Sequence, residues 1–170
     1  MKLVIPSGFV PPQSLEFKDL KLEVLAPVHN ELDYEAWTGS KEGLRGVFGP
    51  DNPWPFNVSN LESNKKDLQM HLDEFETGIA YTYTILTSKK DKCFGCLYIR
   101  QSKNKDYECR VDFWFIDSVR DEYSEAFFDF LKTWLQDKWS FSRVAFPGRT
   151  VSWDKYLGRV QSLQNPLDPT

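Results

Sequence analysis

Three strand-like runs dominate the middle of the chain, in the stretch from 79 to 116, IAYTYTILTSKKDKCFGCLYIRQSKNKDYECRVDFWFI. Runs 79–87, 93–101 and 108–116 are rich in aromatic and β-branched residues, and short segments of Lys, Asp, Asn and Ser separate them. Such segments favour tight turns between neighbouring antiparallel strands. The stretch therefore predicts an antiparallel meander of three strands.

A helix and a short buried strand follow the meander. Residues 121–138 carry large apolar side chains at helical spacing. These side chains are Phe127, Phe128, Leu131, Trp134 and Leu135. Residues 143–146 are typical of a short strand that ends before Pro147-Gly148. Because a crossover through a helix is right-handed in nearly all proteins, this last strand is expected to run parallel to the third strand of the meander.

The chain ahead of the meander predicts one strand and two helices. Residues 21–25 alternate as a strand, and a helix follows from about Pro27. The apolar stripe of this helix is formed by Val28, Leu32 and Ala36. A second helix begins at the capping-box pattern of Ser59 and Glu62 and ends at Gly78.

These elements give the order β-α-α-β-β-β-α-β, an α+β fold of three layers with a mixed, mostly antiparallel sheet and flanking helices. At 170 residues and 41% hydrophobic content, the chain can close one substantial core, so 1–170 is predicted to be a single domain. The Pro-rich start predicts an extended arm over 1–19, and residues 159–170 a short tail.

Composition argues against several classes of function. The formal net charge is −4 and the pI is about 5.3, which makes nucleic acid an unfavourable partner. The apolar stretches are only strand-sized, so neither a membrane span nor a membrane partner is expected. Three cysteines and a start unlike a signal peptide are typical of a reducing compartment, and we expect a cytoplasmic protein.

The spacing Cys93-x-x-Cys96 invites a redox or zinc interpretation. On a regular strand, however, an odd spacing directs two side chains to opposite faces of the sheet. His29 and His71 lie elsewhere in the sequence and complete no ligand pattern. The sequence therefore predicts no metal site.

The order of elements and four short segments resemble the GNAT N-acetyltransferase superfamily. CFGCLYI (93–99) and VDFWF (111–115) are similar to its third and fourth strands, and LRGVFGP (44–50) and PGR (147–149) to segments of a GNAT-like subgroup. The resemblance spans about residues 20–158. It implies an acyl-CoA-dependent N-acyltransferase, with acetyl-CoA as the cofactor and a small amine as the acceptor.

In that family the strand after the crossover helix splays away from its parallel neighbour. The resemblance implies that acetyl-CoA lies in this gap, with its thioester against the main chain of Trp114, Phe115 and Ile116. Its diphosphate would lie at the start of the crossover helix, near Arg120 and Ser124.

The chain departs from the family at this helix start and at its C-terminal end. Glu122 and Ser124 stand where the family has glycine, and the carboxylates of Asp121 and Glu122 repel a diphosphate. Only 12 residues follow Gly158, too few for the family's terminal hairpin, so the acceptor side is open or a second copy closes it as a homodimer. The alternative interpretation is a non-catalytic binding domain of the same fold.

Three residues are candidates for proton transfer. Tyr156 is similar to the family's post-strand tyrosine, which protonates the leaving thiolate. Glu108 and Asp112 share one face of the third meander strand, where a carboxylate can accept the proton of an ammonium group. The alternatives stay open: Tyr156 covers the sheet edge, and the carboxylates pair with Arg100 or Lys92.

Residues 39–58 hold too many Gly and Pro residues for a regular element. By resemblance, this loop lies where acceptor-binding residues gather, and Arg45 and Trp54 are the candidates because long ordered loops are often functional. The alternative is that Trp54 and Phe56, flanked by prolines, pin the loop to the core.

Overall fold

The computed structural model describes residues 2–159, and its elements confirm the predicted α+β fold. The strands are β1 (Ser14–Phe17), β2 (Leu20–Val24), β3 (Ala80–Thr87), β4 (Cys93–Gln101), β5 (Cys109–Phe115) and β6 (Val144–Ala145). The helices are α1 (Asn30–Thr38), α2 (Leu61–Thr77), α3 (Arg120–Asp137) and the one-turn α4 (Trp153–Tyr156), with a 3-10 turn at Pro27–His29. All but the first residue of the predicted tail, 159–170, lies outside the described residues.

The six strands form one sheet in chain order, and every neighbouring pair is antiparallel except β5 and β6. The predicted meander is β3, β4 and β5, and the crossover through α3 makes β6 parallel to β5, as expected. Among residues 2–159, no helix combines the length and apolar character needed to cross a membrane.

The N-terminal segment differs from the extended arm predicted over 1–19. Its last part forms β1, which pairs with β2 through a tight turn in which Lys18 has a φ of 51°. Leu15 and Phe17 lie on the same face of β1 and pack into the core cluster, in which Leu3 is also buried. So short an edge strand forms because it pairs with β2, and the composition of the segment does not predict it.

The two larger cores lie on opposite faces of the sheet, and a small cluster of Ala145, Val151 and Tyr156 lies apart from them. The core under α3 includes Phe113, Phe115, Phe127, Leu131 and Trp139. The core under α1 and α2 includes Trp37, Leu44, Leu68, Tyr98 and Trp114. The sheet is therefore the middle of three layers, as predicted.

Two details of the helix starts differ from the sequence prediction. The capping box of α2 is formed by Asn60 and Ser63 rather than by Ser59 and Glu62: Ser63 donates its N–H to Asn60 Oδ1 at 2.8 Å, and Asn60 donates its N–H to Ser63 Oγ at 3.2 Å. Asn caps helices as well as Ser does. The 3-10 turn before α1 changes the helical phase, so Val28 is 85% exposed instead of facing the core.

An irregularity in β4 shows that the prediction of opposite faces for Cys93 and Cys96 is wrong. Ile85 pairs with Gly95, but Leu86 pairs with Cys93, so the register shifts by one residue of β4. An extra residue of this kind reverses the alternation of side chains. Both thiols consequently belong to the core under α1 and α2.

The parallel pair of β5 and β6 is short and then opens. Its residue pairs are Cys109 with Val144 and Arg110 with Ala145. Beyond Arg110, no strand among residues 2–159 pairs with this edge of β5. The splay implied by the resemblance is therefore present.

Candidate functional site

A cleft of about 370 Å³ opens where β5 and β6 separate. Its walls are the end of β5, the first turns of α3, loop residues 43–47 and the turn 147–149, with Trp153 of α4 at the side. Segments that are far apart in sequence thus share one concave surface, which is the usual form of a small-molecule site.

A tight turn after β6 opens this gap. Gly148 has a φ of 81° and donates its N–H to the Val151 carbonyl at 2.8 Å, and Pro147 forms an isolated bridge with Val151. Glycine adopts such a φ without strain because it has no Cβ. The turn takes the chain away from β5, so the main-chain groups of alternate residues in 111–115, those not directed at β4, face the cleft instead of a strand.

Two of the three residues predicted to hold the thioester line the cleft. Trp114 and Phe115 line it, whereas Ile116 donates its N–H to the Phe94 carbonyl at 2.9 Å and lies outside the lining. Arg120 Nη2 donates to the Phe115 carbonyl at 3.2 Å. The main-chain groups of Phe113, which alternate with those of Trp114 in the ladder with β4, thus stay available on the cleft side.

The start of α3 brings Arg120 and Ser124 to the cleft, as the resemblance implies. Arg120 Nη2 also donates to Asp117 Oδ1 at 2.6 Å, which fixes the guanidinium at the mouth of the cleft. Asp121 and Glu122 of the same turn are exposed and are not part of the lining.

Most of the charged side chains in the cleft lining are cationic. Arg45, Arg120 and Arg149 contribute guanidinium groups, and the single lining carboxylate is Asp112. The Arg149 Cζ lies 4.0 Å from the centre of the Phe113 ring, so this cation stacks on an aromatic face. The three guanidinium groups can face an anionic ligand, although Arg45 and Arg120 also pair with Glu42 and Asp117.

Asp112 is a buried carboxylate held by a bidentate contact. Arg110 donates from Nε to Oδ2 at 2.8 Å and from Nη2 to Oδ1 at 3.1 Å, and Arg100 Nε lies 4.0 Å away. Burial raises the pKa of Asp112, and the charges of Arg110 and Arg100 oppose that rise. The pairing with Arg100 that the sequence left open is present, but Arg110 is the closer partner.

Arg110 links Asp112 to the covering segments. Its Nη2 donates to the Phe48 carbonyl at 3.1 Å. Its Cζ lies 4.8 Å from the centre of the Trp153 ring and 5.7 Å from that of Tyr156. The position of the Asp112 carboxylate therefore depends on the long loop and on α4 as well as on β5.

Tyr156 and Glu108 lie outside the cleft lining. The Tyr156 hydroxyl is buried 3.1 Å from Ser102 Oγ. Glu108 Oε2 accepts the N–H groups of Ser142 and Arg143 at 2.8 and 2.7 Å, at the start of β6. In the structure, both side chains hold neighbouring segments together.

We predict that Glu108→Gln lowers the thermal midpoint at pH 7. Hydrogen bonds from the Arg143 and Ser142 N–H groups lower the pKa of Glu108 below its ordinary value of 4.5. The stabilisation is therefore present above 4.5 and is lost as the pH falls through the lower folded value. Melts of both proteins across this range should converge in acid. Glu16→Gln, at an exposed position of β1, is the control and should show no such difference; a difference that persists in acid would contradict the charge argument.

The two predicted substrate residues lie in different places. Arg45 lines the cleft and also donates to Glu42. Trp54 lines a neighbouring recess, and its ring packs 5.8 Å from Trp114 and 5.9 Å from Trp37. The proposal that Trp54 pins the loop to the core thus agrees with its contacts.

Trp153 and Val47 line the cleft but were not predicted as site residues. Trp153 belongs to a single helical turn, and Val47 to a loop without periodic pattern. Their proximity arises only when the loop and α4 fold over β5. The nearby segments 44–50 and 147–149 carried the one available signal, the resemblance to a GNAT-like subgroup.

Comparison with known proteins supports the fold through structure rather than sequence. None of the known protein-family models matches this sequence, and neither does any curated protein. The ribosomal-protein-S5-alanine acetyltransferase from Vibrio fischeri is similar with a TM-score of 0.62 and 13% identity, over 86% of this chain and 80% of that chain. A structure from Vibrio cholerae that is described as a ribosomal-protein-serine acetyltransferase is similar with a TM-score of 0.64 and 12% identity. The similarity covers 88% of this chain and 82% of that chain.

A third similar structure was solved with a bound cofactor. The microcin C7 self-immunity acetyltransferase MccE, in complex with acetyl-CoA and AMP, gives a TM-score of 0.57 and 13% identity, over 73% of this chain and 67% of that chain. At such identities these likenesses show the fold alone. This chain therefore has the GNAT acetyltransferase fold, and the predicted resemblance is confirmed at that level.

Proposed function

We propose that this protein is an acyl-CoA-dependent N-acyltransferase that transfers an acetyl group to a small amine. The observation that carries the proposal is the separation of β5 and β6 after two residue pairs, at the cleft. Main-chain groups left without a strand partner can hydrogen-bond an extended ligand that takes the place of a strand. The gap itself contributes no strand pairing to the sheet.

The residues of the cleft fit acetyl-CoA at both ends. The open edge of residues 111–115 would hold the amide-bearing arm. Arg120 and Ser124, at the start of α3, would hold the phosphates with the help of the helix N-terminus. The guanidinium groups of Arg45, Arg120 and Arg149 would offer the phosphates positive charge in place of the glycine-rich main chain that this chain lacks.

The chemistry that acetyl-CoA supplies when bound is an activated thioester. A main-chain N–H of β5 would polarise the thioester carbonyl, which requires a water-poor site and no nucleophilic side chain. Asp112 would accept the ammonium proton of the amine, since Arg110 holds it in the cleft wall as a carboxylate. The amine would enter beside Arg45, with Trp54 in the adjoining recess.

Tyr156 stays a prediction for the acid that protonates the leaving thiolate. The prediction is supported by the distance of 5.7 Å between Arg110 Cζ and the centre of the Tyr156 ring, since Arg110 also binds the Asp112 carboxylate. Its hydroxyl contacts Ser102 Oγ, so donation to a thiolate requires that contact to break.

CoA and acetyl-CoA are expected to raise the thermal midpoint of this protein. A ligand that binds only the folded state at a hundred times its dissociation constant stabilises it by about 2.7 kcal/mol. Arg120→Gln should reduce the shift, because it removes a cleft charge that faces the phosphates. Each variant is compared with its own ligand-free melt, by differential scanning fluorimetry.

Arg143→Gln is the matched control for this experiment. It makes the same change of charge at an exposed arginine that does not line the cleft, and its shift should equal that of the original protein. No shift at millimolar cofactor would end the acyltransferase proposal and leave a binding domain of the same fold. Equal losses in both variants would show that net charge, rather than the cleft, attracts CoA.

A further inference from the structure

A second group of reactive side chains lies under α1, apart from the cleft. Asp33 of α1 and Cys93 and Cys96 of β4 are all buried, and one ligand atom of each lies within 4.8 Å of the other two. Cys96 Sγ is 3.5 Å from Asp33 Oδ1, and Cys93 Sγ is 3.5 Å from Thr84 Oγ1. Two thiols, a carboxylate and a hydroxyl therefore meet in one buried place.

Other buried polar side chains orient the carboxylate. Asn64 Nδ2 donates to Asp33 Oδ2 and to Asn30 Oδ1, both at 2.9 Å. The Asn64 oxygen in turn accepts the indole N–H of Trp37 at 3.1 Å. This arrangement holds one oxygen of Asp33 and leaves the other directed at the thiols, as hydrogen-bonding partners do for carboxylates that bind metals.

The charge of Asp33 is not balanced by a side chain. Within residues 2–159, none of the ion pairs involves Asp33. A buried carboxylate without a cation is costly, so such a group binds a cation or keeps a proton. A bound divalent ion would give the Asp33 carboxylate a direct cationic partner, while the two thiolates that form with it leave the whole group with one negative charge.

The distances suit a small thiophilic ion. In tetrahedral zinc sites with Zn–S bonds of about 2.3 Å, two thiolates lie about 3.8 Å apart, so the three groups need to close by about 1 Å at most. Thiolate ligands select zinc-like ions over magnesium or calcium. Thr84 Oγ1 or a water molecule would complete the fourth position.

An ion can reach this place from the surface. Cys93 lines an open recess of about 320 Å³ at the end of α1, together with Glu35, Lys92 and Asp117. The recess lies on the side of β4 opposite to α3. The recess thus gives an approach to Cys93, whereas Asp33 and Cys96 are buried and do not line it.

We propose that Asp33, Cys93 and Cys96 bind one thiophilic divalent cation such as Zn²⁺, which ties helix α1 to strand β4. Each thiol loses its proton to solvent as its metal–sulfur bond forms, so the two thiols release two protons per ion. Because Asp33 and Cys96 are buried and do not line the recess, we assign the ion a structural role. The site is independent of the acyltransferase cleft.

The test is a Cd²⁺ titration of the full chain, reduced and freed of metal by a chelator. We expect thiolate-to-cadmium ultraviolet absorption that saturates at one ion per chain, displacement by Zn²⁺, and a higher thermal midpoint with either ion. Asp33→Asn and Cys96→Ala should each weaken binding by about tenfold or more. Cys109→Ala should change nothing, because this buried cysteine belongs to the core under α3.

Several results would overturn the site. These are no absorption at one equivalent, a signal that Cys109→Ala abolishes, or binding that Asp33→Asn leaves unchanged. A Cys93–Cys96 disulfide found by mass spectrometry, together with no metal binding after reduction, would assign the pair to redox chemistry instead. If Cys96→Ala does not fold, the metal binding of Cys93→Ser and of the nearly isosteric Asp33→Asn is compared with that of the original protein instead. CoA-induced shifts, measured in parallel, report on the cleft separately.

Discussion

Gly95→Ala is expected to destabilise the protein by about 3 kcal/mol or more. Gly95 of β4 pairs with Phe115 of β5. A Cβ at this position would overlap the main-chain carbonyl oxygen of Trp114 and would lie 3.2 Å from the Phe115 Cα. Because the obstacle is backbone, no side-chain rotation relieves it, and β4 and β5 must move apart. Urea unfolding followed by tryptophan fluorescence measures the loss.

The control for this prediction is Gly8→Ala. Gly8 has a φ of 80°, and a Cβ there meets nothing within 4 Å, so alanine adds only backbone strain of about 1 kcal/mol. Equal losses at the two positions would show that the close approach of β4 and β5 is not what requires glycine. Since Trp114 and Phe115 also line the cleft, Gly95→Ala should weaken CoA binding as well.

The meander and the crossover could be predicted because local chemistry decides them. Strand composition and hairpin turns fix 79–116, and the handedness of the crossover fixes the direction of β6. β1 could not be predicted, because four residues next to a Pro-rich segment become a strand only by pairing with β2. The register shift in β4 could not be predicted either, because the sequence CFGC does not indicate where the strand will accommodate an extra residue.

Part of the candidate site was predictable, namely which residues of β5 and α3 lie at the cleft. Resemblance placed Trp114, Phe115, Arg120 and Ser124 at the cleft, since the fold itself creates the gap. The partner of Asp112 was not predicted, because Arg110 lies two residues away on the same face and reaches it only when its side chain bends back. Period-2 reasoning identifies a shared face but not which neighbours pair.

Asp112→Asn is expected to lower kcat by about a hundredfold or more at saturating acetyl-CoA, if the proposed acyl transfer is correct. Asparagine keeps the shape but cannot accept the ammonium proton. Stability should also fall, by about 3 kcal/mol, because Arg110 loses its charged partner in a buried site. A CoA-induced thermal shift similar to that of the original protein would show that the variant is folded with its cleft intact.

The pH profile separates the two roles of Asp112. If the carboxylate takes the proton of the amine, the variant should recover activity at alkaline pH, where the acceptor is already neutral in solution. A purely structural role predicts the same fractional loss at every pH. Glu108→Gln makes the same chemical change on the same face of β5, but its carboxylate holds the 142–143 segment and does not line the cleft. It should therefore keep kcat near that of the original protein, and a hundredfold loss there, or no alkaline recovery in Asp112→Asn, would remove Asp112 as the base.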